Sequence, residues 1–116
     1  MKGKLRDENG NVVCERCAVA RDPFTRMRGL LGRSGLAQGE GLLLQPAASI
    51  HTLFMRFPID AVFLDGDRRV LRVASGLQPW RTAAAKRARA VLELAAGEAA
   101  RVGVAPGDVL RLEVER

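Results

Sequence analysis

Residues 12–19 alternate as an extended chain would, with Val13, Glu15, Cys17 and Val19 on one side and Val12, Cys14, Arg16 and Ala18 on the other. That pattern predicts a strand with at least one buried face. The residues before about position 11 are polar and read as a frayed or weakly paired terminus. Past the strand the apolar spacing changes. Phe24, Met27, Leu30 and Leu31 recur at helical intervals, Asp22 can accept amide hydrogen bonds as an N-cap, Pro23 suits the first helical position, and Gly32 ends the run.

A glycine-punctuated loop over 35–41 leads to Leu42-Leu43-Leu44, a buried strand stopped by Pro46. Pro58 divides the next segment into a strand or irregular stretch over 50–54, a bend, and a strand from about Ile59 to Leu64. Asp65-Gly66 marks a hairpin whose return strand covers 69–74. Gln78-Pro79-Trp80 interrupts that strand, with Trp80 expected to anchor a loop against the core. Residues 82–88 fit helix or loop. A strand over 90–94, one or two helical turns over 97–102, a type II turn at Ala105-Pro106-Gly107-Asp108 and a last strand over 109–114 complete the reading. The sum is an α+β, mainly β chain: a small single-domain β-barrel or sandwich of short strands with two short helices, over 12–116, behind a polar segment at 1–11.

Composition narrows this only modestly. At 116 residues and 47% hydrophobic content the chain suffices for one continuous core, so a second domain is not expected. The net charge of +6 raises the question of an acidic partner. In linear order, however, the basic residues are scattered, with small concentrations over 21–33 and 86–89, and no aromatic residues interleave them. The charge therefore reads as a solvated surface, and nucleic acid is disfavoured as a partner. The first residues lack the apolar stretch of a secretory signal, and no apolar run approaches the ~20 residues of a membrane span. A soluble, cytoplasmic protein is the expectation.

Candidate chemistry concentrates in 49–65, where the only histidine, His51, stands with Thr52, Met55, Arg56 and Asp60 in an apolar run. Polar groups cost free energy to bury unless partnered, so this is either a satisfied network or a site. Paired with Asp60, Glu93 or Asp108, His51 would have its tautomer fixed and its basicity raised, as a hydrolase needs; alone, it is a hydrogen-bonded core or rim group. No Gly-x-Ser-x-Gly elbow surrounds Ser49, Thr52 or Ser75, which argues against a serine hydrolase. Glu93, between Leu92 and Leu94, is either a carboxylate sharing a pocket with His51, Thr52 and Arg56 or an exposed residue paired with Arg56 or Arg89. Asp60 reads first as an acceptor of backbone amides shaping the bend after Pro58. Trp80 either rims a groove or plugs the core, and the plug is favoured.

Cys14 and Cys17 have the spacing of a redox pair or half a zinc site. No second pair exists, and residues three apart on a strand face opposite ways, so structural thiols are expected, with no metal and no cofactor. The leading function is a small non-catalytic binding or accessory module. Its patch comprises His51, Thr52, Met55, Arg56, Asp60, Trp80 and Glu93, and its partner is a protein, a peptide or a small polar ligand. The alternative is a hydrolase using a His51-carboxylate pair.

Several blocks together resemble one family: Arg28-Gly29-Leu30-Leu31-Gly32-Arg33, Gly41-Leu42-Leu43-Leu44, His51-Thr52 with Met55, Ile59-Asp60-Ala61-Val62-Phe63-Leu64-Asp65, Leu92-Glu93-Leu94 with Gly97, and Gly107-Asp108. The chain is similar across roughly 19–112 to the uncharacterised domain of unknown function 192 family. That resemblance implies a compact β-rich domain and brings no established activity. Many family members carry an export signal, and many place Trp before the methionine where this chain has Phe54.

Overall fold

The computed structural model describes residues 1–22, 30 and 32–115. The helix expected from Asp22 onward lies outside the described residues. Strands β1 (Lys2–Arg6), β2 (Val12–Ala20), β3 (Glu40–Leu44), β5 (Ile59–Leu64), β6 (Val70–Leu77), β8 (Ala90–Ala95) and β9 (Arg111–Val114) form one seven-stranded sheet, ordered β6-β5-β8-β3-β2-β1-β9. Strands β4 (Ser49–His51) and β7 (Thr82–Ala84) pair as a separate two-stranded ribbon. One short helix, α1 (Glu98–Val102), stands among the described residues.

Only β2 and β3 pair in parallel, which requires the long connection over 21–39. The sheet is open rather than a closed barrel: its edge strands β6 and β9 meet only through one bridge, Arg69 to Val109, beside the turn at 105–108. There Val70 donates to the Asp108 carbonyl at 2.7 Å and Leu110 to the Arg68 carbonyl at 2.9 Å. A curled sheet, stitched at one corner, replaces the expected barrel. A sandwich-like packing still fits, because the central strands are covered on both faces.

Two apolar clusters lie on those faces. Val62, Leu64, Leu92, Leu94, Leu43, Val19 and Leu5 build the first, under α1 and the β9 edge. Ala61, Phe63, Val91, Leu42, Leu44 and Ile59 build the second, covered by Ile50 and Ala83 of the ribbon and by Met55. Every residue of β5 is buried, so its run reads as continuously apolar apart from Asp60. If each of these side chains leaves water at about 25 cal/mol per Å² of apolar surface, burial contributes roughly 1.5–3 kcal/mol per large residue.

Three local findings differ from expectation. Residues 2–6 are no frayed end, because β1 pairs with β2 on one side and β9 on the other and buries Leu5 completely. The β5–β6 hairpin puts its left-handed residue at Arg68 (φ 61°) rather than at Gly66. Asp65 stabilises that longer turn, its Oδ1 accepting the amides of Asp67 at 2.8 Å and Arg69 at 2.9 Å. Residues 82–84, ambiguous between helix and loop in sequence, form β7 because the β4 edge offers them a partner. The turn at 105–108 follows its sequence signal, with Gly107 at φ 97° and Asp108 donating to the Ala105 carbonyl at 3.1 Å. No described helix is long and apolar enough to cross a membrane.

Candidate functional site

Thr52 follows β4 and is wholly buried. Its Oγ1 donates to the Gln78 carbonyl at 2.6 Å and accepts the Arg81 amide at 2.8 Å. Its backbone completes the link: the amide donates to the Arg81 carbonyl at 2.8 Å, and the carbonyl accepts the amides of Trp80 at 2.9 Å and Met55 at 3.2 Å. One residue thus fastens two loops, 52–56 and 78–81, to each other. The hydroxyl is a satisfied structural group.

That fastening presents Phe54 and Trp80. Both residues have left-handed backbones, at φ 65° and 66°. Neither is glycine, so each conformation costs on the order of 1–2 kcal/mol. Both rings face solvent, at 68% and 55% exposure, and they meet edge to face with centroids 4.7 Å apart at 61°. Trp80 is therefore not the core plug that its sequence context favours. Pro79 and the Thr52 hydrogen bonds turn the chain so that the indole points outward.

His51 and Arg56 are exposed on the same segment. His51 Nδ1 accepts the Leu53 amide at 3.3 Å, which leaves Nε2 to face solvent and carry the proton of the neutral ring. No carboxylate lies within ion-pair or hydrogen-bond distance of His51 among the described residues. A shallow cavity of about 660 Å³ runs along the ribbon, lined by Ser49, Ile50, His51, Arg72, Thr82, Ala83 and Ala84. Arg72 closes one side, its Nη1 donating to the Ala84 carbonyl at 2.6 Å and its guanidinium standing 5.8 Å from the centre of the Phe63 ring.

The remaining predicted residues lie inside. Met55 packs in the second apolar cluster. Asp60 is buried, its Oδ1 accepting the Gly76 amide at 2.8 Å and its Oδ2 the amides of Gly97 at 3.0 Å and Ala99 at 2.9 Å. It accepts backbone amides as expected, but those of the β6 bulge and of the start of α1 rather than of the bend after Pro58. Glu93 is 3% exposed, and its cross-strand neighbours are Leu42 on β3 and Ala61 on β5. No ion pair or hydrogen bond reaches its carboxyl among the described residues, and burial alone pushes it up to about 7. It is thus neither an exposed partner of Arg56 or Arg89 nor a member of the His51 surface.

The two thiols also depart from the strand rule. Gly3 faces Cys17 and Leu5 faces Cys14, so β2 carries one extra residue against β1. This bulge turns Cys14 and Cys17 to the same face, where both are buried and unbridged. Gly41, the cross-strand partner of Cys17, makes room: a Cβ there would lie 2.7 Å from Cys14 Sγ. Cys14 Sγ donates to the Gly39 carbonyl at 3.7 Å and Cys17 Sγ to the Ala18 carbonyl at 3.6 Å, and the proximity of the two thiols lowers Cys14 and raises Cys17, with burial opposing ionisation of both. No cluster of three or more metal-ligating side chains occurs among the described residues.

The structure therefore divides the predicted set. His51, Arg56 and Trp80 are exposed around the ribbon, Thr52, Met55 and Glu93 are buried on its side of the sheet, and Asp60 is buried on the opposite face at the start of α1. Sequence reasoning missed Phe54, Arg72, Arg81 and the Thr82 hydroxyl, and weighed Ser49 only as a nucleophile. Phe54 had a signal, since a second large aromatic stands in the same segment as His51; the others join only through the β4–β7 pairing.

Comparison with known proteins places the fold. The model of the DUF192 family, described as "Uncharacterized ACR", matches residues 5–112, and the chain belongs to this family. No curated protein matches. Two crystal structures are similar to the chain. A protein of unknown function from Novosphingobium aromaticivorans is 30% identical at a TM-score of 0.81, covering 96% of this chain and 84% of its own. A Sinorhizobium meliloti protein, provisionally named a transcription regulator, is 26% identical at a TM-score of 0.86, covering 97% of this chain and 94% of its own.

Proposed function

We propose that this DUF192 domain is a non-catalytic binding module that takes an extended anionic partner along the β4–β7 ribbon, with Phe54 and Trp80 as its apolar contacts. The observation carrying this reading is the exposed aromatic pair on two left-handed, non-glycine residues. Strained backbone persists only where its surroundings over-determine it, and such strain clusters at ligand-binding positions. Here the Thr52 hydrogen bonds supply that determination. Covering about 100 Å² of each ring at ~25 cal/mol per Å² would contribute roughly 2–3 kcal/mol per ring. Arg56 and Arg81, exposed on the two loops that carry the rings, favour negative charge in the partner.

A hydrolase lacks support in the same geometry. Asp60 spends both oxygens on backbone amides, and Glu93 belongs to the core. The chain has one Trp and no Tyr, so emission reports Trp80 alone. Titration with polyglutamate, polyphosphate, heparin and oligothymidylate should quench or shift that emission with at least one of them, and Phe54→Ala should weaken the response. Emission unmoved by all four would overturn the proposal.

A further inference from the structure

We infer that the partner of this surface is a single-stranded nucleic acid, an assignment that rests on the binding role above and names its ligand class. Between Glu40 and Asp60, and again between Asp67 and Glu93, the chain contains no carboxylate. Both ribbon strands and their flanking loops come wholly from these two stretches. Arg56 and Arg81 flank the aromatic end, Lys86 and Arg87 follow the opposite end, and Arg72 borders the cavity between them. None of these cations belongs to an ion pair among the described residues, where the pairs are Lys4–Glu15, Arg6–Glu113, Arg33–Glu40 and Arg101–Glu98. Scattered in linear order, Arg56, Arg72, Arg81, Lys86 and Arg87 lie on the ribbon's own loops and cavity edge after folding, whereas Arg68 and Arg69 stand at the corner beside Val109 and Arg89 beside Gln45 and Pro46.

A polyanion of carboxylates satisfies those cations and leaves the rings uncovered. A nucleotide chain supplies a phosphate and a flat π face with every residue, which matches a cationic track ending in two exposed aromatics. The bases must be unpaired, since in a duplex their faces are already stacked on one another. Ser49, Thr82 and His51 Nε2 add hydroxyl and imidazole groups along the groove for sugar and phosphate oxygens.

The test is fluorescence anisotropy of labelled oligothymidylate and of labelled polyglutamate of equal charge, with the full chain and its Phe54→Ala, Trp80→Ala and Arg72→Ala variants. Thermal melts confirm that each variant is folded. The inference expects oligothymidylate binding that weakens with salt, is lost by about 5- to 150-fold on removing either ring, and is competed by unlabelled single strand better than by duplex. Three results would overturn it. Binding that the ring substitutions leave unchanged reduces it to charge attraction. Polyglutamate binding as tightly, with the same dependence on Trp80, removes the nucleic acid and leaves the binding module standing. Failure of both probes, together with unmoved Trp80 emission, removes both readings.

Discussion

Replacing Glu93 with Gln should make the protein more stable at alkaline pH and leave it nearly unchanged at acid pH. The carboxyl is buried with no hydrogen-bond or ion-pair partner among the described residues, and burial pushes it up to about 7 from the ordinary 4.5. Below 4.5 both folded and unfolded chains hold the proton, so the group costs nothing by ionisation. As pH rises through 4.5 the unfolded chain releases its proton while the folded chain keeps it, and stability falls. The loss continues until the folded group ionises near 7, then levels off. At 1.36 kcal/mol per pH unit, the full gap is about 3 kcal/mol, of which roughly 2.5 kcal/mol develops between pH 5 and pH 8. Glu15, Glu40 and Glu113 run the other way, each held below its usual range by hydrogen bonds and neighbouring cations. They are present in both proteins and cancel in the comparison. A fixed cost of burying the Gln amide is the same at each pH and cancels as well. Urea unfolding of the natural chain and Glu93→Gln at pH 5 and pH 8 reads the effect directly. The stability difference should move in favour of the variant by about 2–3 kcal/mol across that interval, on the order of 10 °C in Tm. A difference that stays constant with pH would refute the reasoning and mean that the carboxyl is hydrated or partnered.

Other substitutions probe the loops and the core. Thr52→Val keeps the shape but strands the Gln78 carbonyl and the Arg81 amide; thermal unfolding should show a loss of about 2–4 kcal/mol, and unchanged Trp80 emission would contradict its role in holding the indole. Phe54→Gly relieves the left-handed strain while giving up the ring contact, terms of about 1–2 kcal/mol each, so stability should stay within about 1 kcal/mol; a loss as large as that of a buried aromatic, ~3–5 kcal/mol, would place the ring in the core. Gly41→Ala pushes a methyl against Cys14 Sγ and Leu94 Cδ2 and should cost about 1–3 kcal/mol. Adding Cys14→Ala should recover part of that cost in a double-mutant cycle of chemical denaturation, the Leu94 contact remaining, and strict additivity would show that Cys14 takes no part in the clash.

What could be read in the sequence was whatever depends on near neighbours. The alternation of 12–19, the apolar run of β5 and the Pro-Gly turn before β9 are local patterns, and each became the element it predicts. Asp60 was legible as an amide acceptor because a lone carboxylate in such a run needs donors, but its donors lie 16, 37 and 39 residues away. The misreadings share that distance. Lys2–Arg6 reads as polar and loose, yet it is held between β2 and β9, two partners that only the finished sheet supplies. Glu93 read as a pocket carboxylate or an exposed residue because its charge suggests water; the covering of that face comes from the ribbon side, which no window around β8 contains. Trp80 looked buried because indoles usually are, and the Thr52 hydroxyl that turns it outward is 28 positions earlier in the chain. The bulge in β2 carries no glycine or proline to announce it, so the two thiols seemed to diverge.

The pairing of β1 with β9 carries one further consequence. Glu115 donates its amide to the Lys2 carbonyl at 2.9 Å, so the two ends of the described chain are adjacent strands of one sheet. Within the described residues the polypeptide is nearly a ring, so a cut elsewhere can leave the pairing of β1 with β9 in place. Joining the described ends with a few residues and opening the chain between the exposed Gly66 and Asp67 should yield a circular permutant with the same architecture, in which β1 and β9 still dock as neighbours.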